Sequence, residues 1–160
     1  MMANFARLSQ NWFAWSNLAQ LGNISVSTDC DDCQLLFEST DYSVHLRNDG
    51  TWWIVDTVDD RGQRHDGTAK LSTFELAEKY LIWIWASSAR GVVGAPRLGP
   101  QLYSLGVSPE VELNPITEGI AEVRSSSGRA ILMEPYATIF SHLMNKSVDE
   151  IEQMVSEGLR

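Results

Sequence analysis

Cys30 and Cys33 are the only cysteines of the chain and stand in the stretch TDCDDCQ, residues 28–34, at the CxxC spacing used by dithiol redox centres and by half of many zinc sites. Each chemistry needs companions. A reactive thiolate is favoured by a helix N-terminus or by nearby cations, but here Asp29, Asp31 and Asp32 surround the sulfurs and the following QLLFES reads as a strand. A zinc site needs a second pair of ligands. No other cysteine exists, and His45, His65 and His142 are scattered without ligand spacing. The pair therefore reads as structural, near a strand entrance, in either reduced or opportunistically bonded form, and no metal is expected.

The remaining chemistry-bearing residues form no recognisable constellation. His45 lies between Val44 and Leu46, so a strand period of two places it on the opposite face, with Ser43 and Arg47. His65 falls beside Asp66 in the hairpin arm RGQRHDG, and His142 on a late helix. The chain has no G-x-S-x-G elbow, no Walker-type loop, no G-x-G-x-x-G after a strand and no H-E-x-x-H. These observations predict no catalytic residues, no cofactor and no enzymatic activity.

Charge is more informative because it is local. Residues 29–66 hold ten acidic residues and three basic ones, so that segment carries -7 of the formal net charge of -9. An acidic surface repels phosphate backbones and anionic headgroups, which argues against nucleic-acid and membrane partners and for a protein partner with a basic surface. The bland explanation, a solvated sheet edge protected against edge pairing, remains open.

The elements that must position these residues follow from periodicity and turn chemistry. Phe5, Leu8, Trp12, Trp15 and Ala19 recur at helical spacing ahead of Gly22, which predicts an amphipathic helix over Asn4 to Leu21. Short apolar runs at residues 24–28, 34–38, 43–47 and 51–58, separated by Asn-, Asp- and Gly-rich turns, predict an antiparallel meander. Ser72-Thr73-Phe74-Glu75 matches a capping box for a helix running to about Arg90, whose centre, YLIWIWA, is apolar on nearly every face. The Gly- and Pro-punctuated segment from Gly91 to Pro115 reads as a long ordered loop, a feature often functional in compact domains. Beyond it come a second hairpin over residues 116–125 and 129–134, a short helix opened by Pro135, and a last helix capped by Ser147-Val148-Asp149-Glu150. The fold class predicted is α+β, with residues 1–160 forming a single domain: an antiparallel sheet packed with a central Trp-rich helix and N- and C-terminal helices.

Of the six tryptophans, Trp12, Trp15, Trp83 and Trp85 sit at core-compatible helix positions. Trp52 and Trp53 are adjacent in a strand, so one of them faces outward or lies under the long loop. The N-terminus has no continuous apolar h-region, and the longest apolar run, Tyr80 to Ala86, is far short of a membrane span. The expectation is a soluble, cytoplasmic protein.

The stretch TFELAEKYLIWIWASSARGVVGAPRL, Thr73 to Leu98, together with WSNLAQLG near the N-terminus, the NDGTWWIVD hairpin and the C-terminal SVDEIEQMVSEGL helix, carries a further signal. In this order they resemble the immunity protein 61 family, actinobacterial antitoxins of polymorphic and secreted toxins that include the immunity factor of the tuberculosis necrotizing toxin. The resemblance implies a cytosolic α+β protein that binds a toxin domain made by the same cell. For the necrotizing toxin it implies inhibition of NAD⁺ glycohydrolysis by blocking the NAD⁺ site. No catalytic residue carries over.

The candidate toxin-contact residues combine the acidic hairpins, through Asp49, Trp52, Trp53, Asp56, Asp59, Asp60 and Asp66, with the long loop, through Arg97, Leu98 and Tyr103. Two other readings stand beside this one. A dedicated chaperone for a secreted protein also needs an acidic, catalytically silent surface. A small ligand-binding domain or enzyme would show itself by a deep pocket near Trp53 and Trp83.

Overall fold

A computed structural model describes residues 4–159. Helix α1, Ala6–Leu18, leads into a meander of β1 (Ser25–Ser27), β2 (Leu35–Glu38), β3 (Ser43–Asn48), β4 (Trp53–Val58) and β5 (Arg64–Leu71). The long helix α2, Phe74–Val92, follows, then α3 (Gly99–Ser104), β6 (Glu112–Thr117), β7 (Ile120–Ser125), β8 (Gly128–Met133), α4 (Tyr136–Phe140) and α5 (Val148–Ser156). This is the α+β class that the pattern predicts.

All eight strands belong to one antiparallel sheet in the order β1-β2-β3-β4-β5-β8-β7-β6. The join of the two halves is the β5–β8 pairing, with Ala69 opposite Leu132 and Leu71 opposite Ala130. One face buries Leu35, Phe37, Val44, Leu46, Val55, Ala69, Leu71, Val123 and Leu132 in a continuous core with the helices. Alternation of side chains leaves His45, Arg47, Ile54 and Asp56 on the other face.

The helix layer is held by aromatic packing and by buried cations. Trp12 of α1 lies 5.0 Å from Trp85 of α2 and 5.8 Å from Phe37 of β2, ring centre to ring centre. Its indole N–H donates to the Ser25 carbonyl at 3.0 Å, so its polar end is satisfied inside the core. Buried Lys79 donates to the Met144 carbonyl at 3.0 Å and lies 3.0 Å from Glu75 one turn earlier. Buried Arg90 donates to the carbonyls of Pro96, Val155 and Glu157, tying the end of α2 to the chain beyond it and to the end of α5. These contacts explain how two buried cations are accommodated on a helix whose centre, Tyr80 to Ala86, is apolar.

Several boundaries differ from the sequence expectation. The cap of α2 is Thr73, whose side chain accepts from the Leu76 N–H, while Ser72 Oγ instead accepts from the Arg129 N–H at 2.8 Å. Ser72 is drawn away by the β7–β8 turn. There Gly128 adopts a φ of +134°, and a Cβ on it would lie 2.5 Å from Ser72 Oγ, so only glycine fits that approach. The capping box at Ser147 forms as predicted, with Ser147 and Glu150 exchanging bonds. The segment expected to be one long loop contains α3 and the edge strand β6. Pro100 sits in the first turn of α3, and Pro115 lies on the sheet edge, two positions where a missing N–H is tolerated.

Candidate functional site

A cleft of about 920 Å³ opens between the second half of α2, the chain leading into α3, and the β8–α4 connection. Trp83, Ile84, Ser87, Ser88 and Gly91 form the α2 wall, Arg97 to Pro100 and Tyr103 the facing wall, and Glu134, Pro135, Tyr136 and Ile139 close the remaining side. Arg90, also in the lining, is committed to its three carbonyl acceptors. The Glu134 carboxylate accepts from the Thr138 N–H at 2.8 Å and from its hydroxyl, which fixes the start of α4. Two of the three charged residues in the lining, Arg90 and Glu134, therefore hold the walls in place. Apolar and aromatic side chains, Trp83, Ile84, Leu98, Tyr103, Tyr136 and Ile139, supply much of its lining.

Apolar side chains are exposed in the lining and in the chain segments next to it. Tyr103 is 49 % exposed and Leu105 70 %, and Val92, Val93 and Val107 are also exposed in the flanking segments. Large apolar side chains displayed around a concave surface mark an interaction site more often than a solvent-facing one.

The candidate contact residues fall into separate places. Arg97, Leu98 and Tyr103 line the cleft. Asp59, Asp60 and Asp66 lie at the β4–β5 turn or just inside it. By register that turn and the β8–α4 connection leave the same end of the sheet, since Ala69 pairs with Leu132 near the end of β8. Asp49 and Trp52 occupy the β3–β4 turn, at the opposite end. Trp53 faces the helix layer, 5.2 Å from Phe74 and 6.4 Å from Phe5. Trp52 turns outward as one of the pair must, but its neighbour is a cation: the Arg129 guanidinium lies 4.7 Å from its ring centre.

Much of the acidity is used internally. Asp49 accepts from the Trp52 and Thr51 N–H groups, which holds its carboxyl below the usual range. Asp59 accepts from the Gln63 N–H, contacts His65 and also accepts from the Arg61 N–H, with the same effect. Asp56 is fully buried, 0 % exposed. Burial alone pushes its carboxyl up, but Arg47 Nε at 2.6 Å, the Gly67 N–H at 2.7 Å and Arg64 at 3.2 Å together hold it below the ordinary range. A bulge between Val55 and Thr57 and a φ of +64° at Gly67 make that N–H available.

Across the same face lies the segment that precedes β2. Cys30 and Cys33 are joined in a disulfide with their Cα atoms 5.4 Å apart. Sequence spacing had left the three histidines scattered, but the fold returns the disulfide loop over β3, where His45 Nδ1 lies 3.8 and 3.9 Å from the two sulfurs. His65 pairs with Asp59 and His142 contacts the Gly106 carbonyl, so neither joins a cluster.

The model of the immunity protein 61 family matches residues 15–157. The chain belongs to the immunity protein 61 family. Membership supports an immunity, or antitoxin, role with a toxin protein as partner and is in keeping with a non-enzymatic one. A solved structure, Rv3902c from M. tuberculosis, shares the fold of this immunity protein with a TM-score of 0.70 at 16 % identity, covering 95 % of this chain and 88 % of that one. No curated protein sequence matches it. Among the described residues no helix is long and apolar enough to cross a membrane.

Proposed function

We propose that this chain acts as a single immunity-protein-like domain that binds a cognate toxin in the cytoplasm of the producing cell and inhibits it by steric occlusion. The observation that carries the reading is the family match over residues 15–157. The toxin in this reading is an NAD⁺ glycohydrolase of a secreted or polymorphic toxin system, and occlusion denies NAD⁺ access to its site; the support for that class is the resemblance to a family that includes the immunity factor of one such toxin. The contact surface centres on the α2–α4 cleft, with Arg97, Leu98 and Tyr103, and extends to the β4–β5 turn. A preformed concave wall with exposed aromatic and aliphatic side chains favours slow dissociation, while the net charge of -9 favours rapid capture of a toxin with a basic surface.

The test is co-expression of the chain with each toxin encoded beside its gene. A stable complex, preserved cellular NAD⁺ and restored growth are expected for one of them. No rescue by any neighbour overturns the proposal. Rescue of growth without preserved NAD⁺ leaves the immunity role and removes the NAD⁺ glycohydrolase assignment. A partner that only fails to be exported without the chain identifies a chaperone instead.

A further inference from the structure

The strongest unassigned cluster lies away from the cleft, on the face of the sheet opposite the helices. One ligand-type atom from each of Cys30, Asp32, Cys33 and His45 lies within 4.8 Å of the other three. Asp32 Oδ1 is 3.2 Å from Cys30 Sγ and 3.4 Å from His45 Nδ1, while His45 Nδ1 is 3.8 and 3.9 Å from the two sulfurs. A tetrahedral zinc ion with Zn–S bonds near 2.3 Å and Zn–N or Zn–O bonds near 2.0–2.1 Å sets its ligand atoms about 3.3–3.8 Å apart. The distances involving His45 and Asp32 already approach that span. Only the two sulfurs are too close, because they are bonded to each other.

We propose that reduction of the Cys30–Cys33 disulfide converts this loop into a zinc site with Cys30, Cys33, His45 and Asp32 as its four ligands. The reductant is a dithiol: the S–S bond breaks, the dithiol closes to its own disulfide, and two electrons and two protons pass to Cys30 and Cys33. Zinc then takes both sulfurs as thiolates, and their two protons leave to solvent. The CxxC stretch supplies three of the ligands, its two cysteines and the intervening Asp32, and β3 supplies the fourth, His45.

The supporting shell is in place. Asp32 Oδ2 lies 2.8 Å from Arg64, and Arg64 also reaches Asp56, so the carboxylate is oriented from behind in the manner expected of a ligand. His45 is held in β3 opposite Asp56, on a backbone fixed by pairing on both sides. The consequence is a loop closed onto the sheet in either redox state. Disulfides are rare where thiols are kept reduced, and there the metal replaces the covalent link.

Cobalt and zinc titrations of the full chain test this. The protein is reduced with a phosphine, stripped with a chelator and titrated anaerobically with Co²⁺. One equivalent is expected to give thiolate-to-cobalt charge transfer and the visible bands of tetrahedral cobalt, both abolished by Zn²⁺. The oxidised wild-type chain, identical in sequence and fold, should give neither. His45→Ala should keep charge transfer but weaken Co²⁺ binding by at least about 10-fold, and Cys30→Ser should reduce the charge transfer. Absence of the bands in the reduced chain, equal uptake by the oxidised chain, or unchanged affinity in a folded His45→Ala variant would each overturn the site. Should Cys30→Ser fail to fold, the reduced and oxidised wild-type chains still decide the outcome.

Discussion

The outer face of β3 to β5 and the cleft between α2, α3 and α4 use their side chains in opposite ways. On the outer face most charges have partners within the chain: Asp56 with Arg47, Arg64 and Gly67, Asp66 with Arg64, and Asp32 with Arg64 and His45. In the cleft Arg90 and Glu134 are equally committed, but Tyr103 and Tyr136 of the lining are left exposed. A high density of charge in sequence therefore does not by itself mean charge that is free on the surface. Part of that charge folds the hairpins and closes a loop, whereas Tyr103 is left half exposed in the cleft lining.

The sharpest way to break the comparison is to remove the centre of the outer-face network. Asp56→Ala leaves Arg47, Arg64 and the Gly67 N–H without their acceptor, and a loss of roughly 3 kcal/mol in unfolding free energy is expected in denaturant titrations. A change below 0.5 kcal/mol, an exposed-site magnitude by comparison, would mean that this network is ornamental and its acidity free for a partner. The sign with pH follows from the shift. Asp56 is held below its ordinary range, so its contribution is present above the unfolded carboxylate range and is lost as pH falls through the lower folded value.

Next in size is the cleft itself. Tyr103→Ala should weaken toxin binding by about 10- to 30-fold, a hot-spot effect near 2 kcal/mol, while unfolding free energy moves by less than about 0.5 kcal/mol because the side chain is half exposed. Calorimetric titration of the toxin domain and denaturant unfolding read the two quantities separately. Wild-type affinity in this variant would remove the cleft from the interface.

Beneath both surfaces, Glu78 offers a smaller test of how the helix layer tolerates charge. It is buried on α2, one carboxylate oxygen has no hydrogen-bond partner among the described residues, and burial raises its pKa from the ordinary 4.5 to about 7. The native state thus holds a proton more tightly than the unfolded chain. The favourable contribution is complete below pH 4.5 and declines as pH rises through about 7. Glu78→Gln should remove that dependence and stabilise the protein at pH 8 by about 1–2 kcal/mol relative to wild type. An unchanged stability-versus-pH curve would show the carboxylate to be ionised at no cost.

What could be read from sequence divides along the same line. Local chemistry was legible: the Ser147 capping box, the Glu75–Lys79 pair, the buried YLIWIWA run and the turns of the meander all depend on residues within four or five positions. Features assembled from distant segments were not. The β5–β8 pairing spans the whole of α2, so no short-range pattern announces it. The cleft draws on residues 83–91, 97–103 and 134–139; the loop portion, through Arg97, Leu98 and Tyr103, and Trp83 of α2 stood out, but not the residues 134–139 that close it. His45 was placed on the correct face by period, yet its approach to the sulfurs depends on a loop that folds back across β3. Glycine and proline misled in one place, where Pro100 starts a helix and Pro115 lies in an edge strand instead of a continuous loop.

The smallest effect concerns the acidic turn. Reversing both Asp59 and Asp60 would confuse binding with folding, because Asp59 accepts from two amides of its own turn and contacts His65. Asp60 is exposed and makes no ion pair among the described residues, so Asp60→Lys changes the field with little cost to the fold. If the turn steers a basic toxin, the association rate should fall several-fold at low salt, the difference should shrink as ionic strength approaches 0.15 M, where the screening length is about 8 Å, and the dissociation rate should hardly move. Stopped-flow association at graded salt separates these. An unchanged association rate at every salt concentration would confine the interface to the cleft, whereas an altered dissociation rate would place Asp60 in direct contact with the partner.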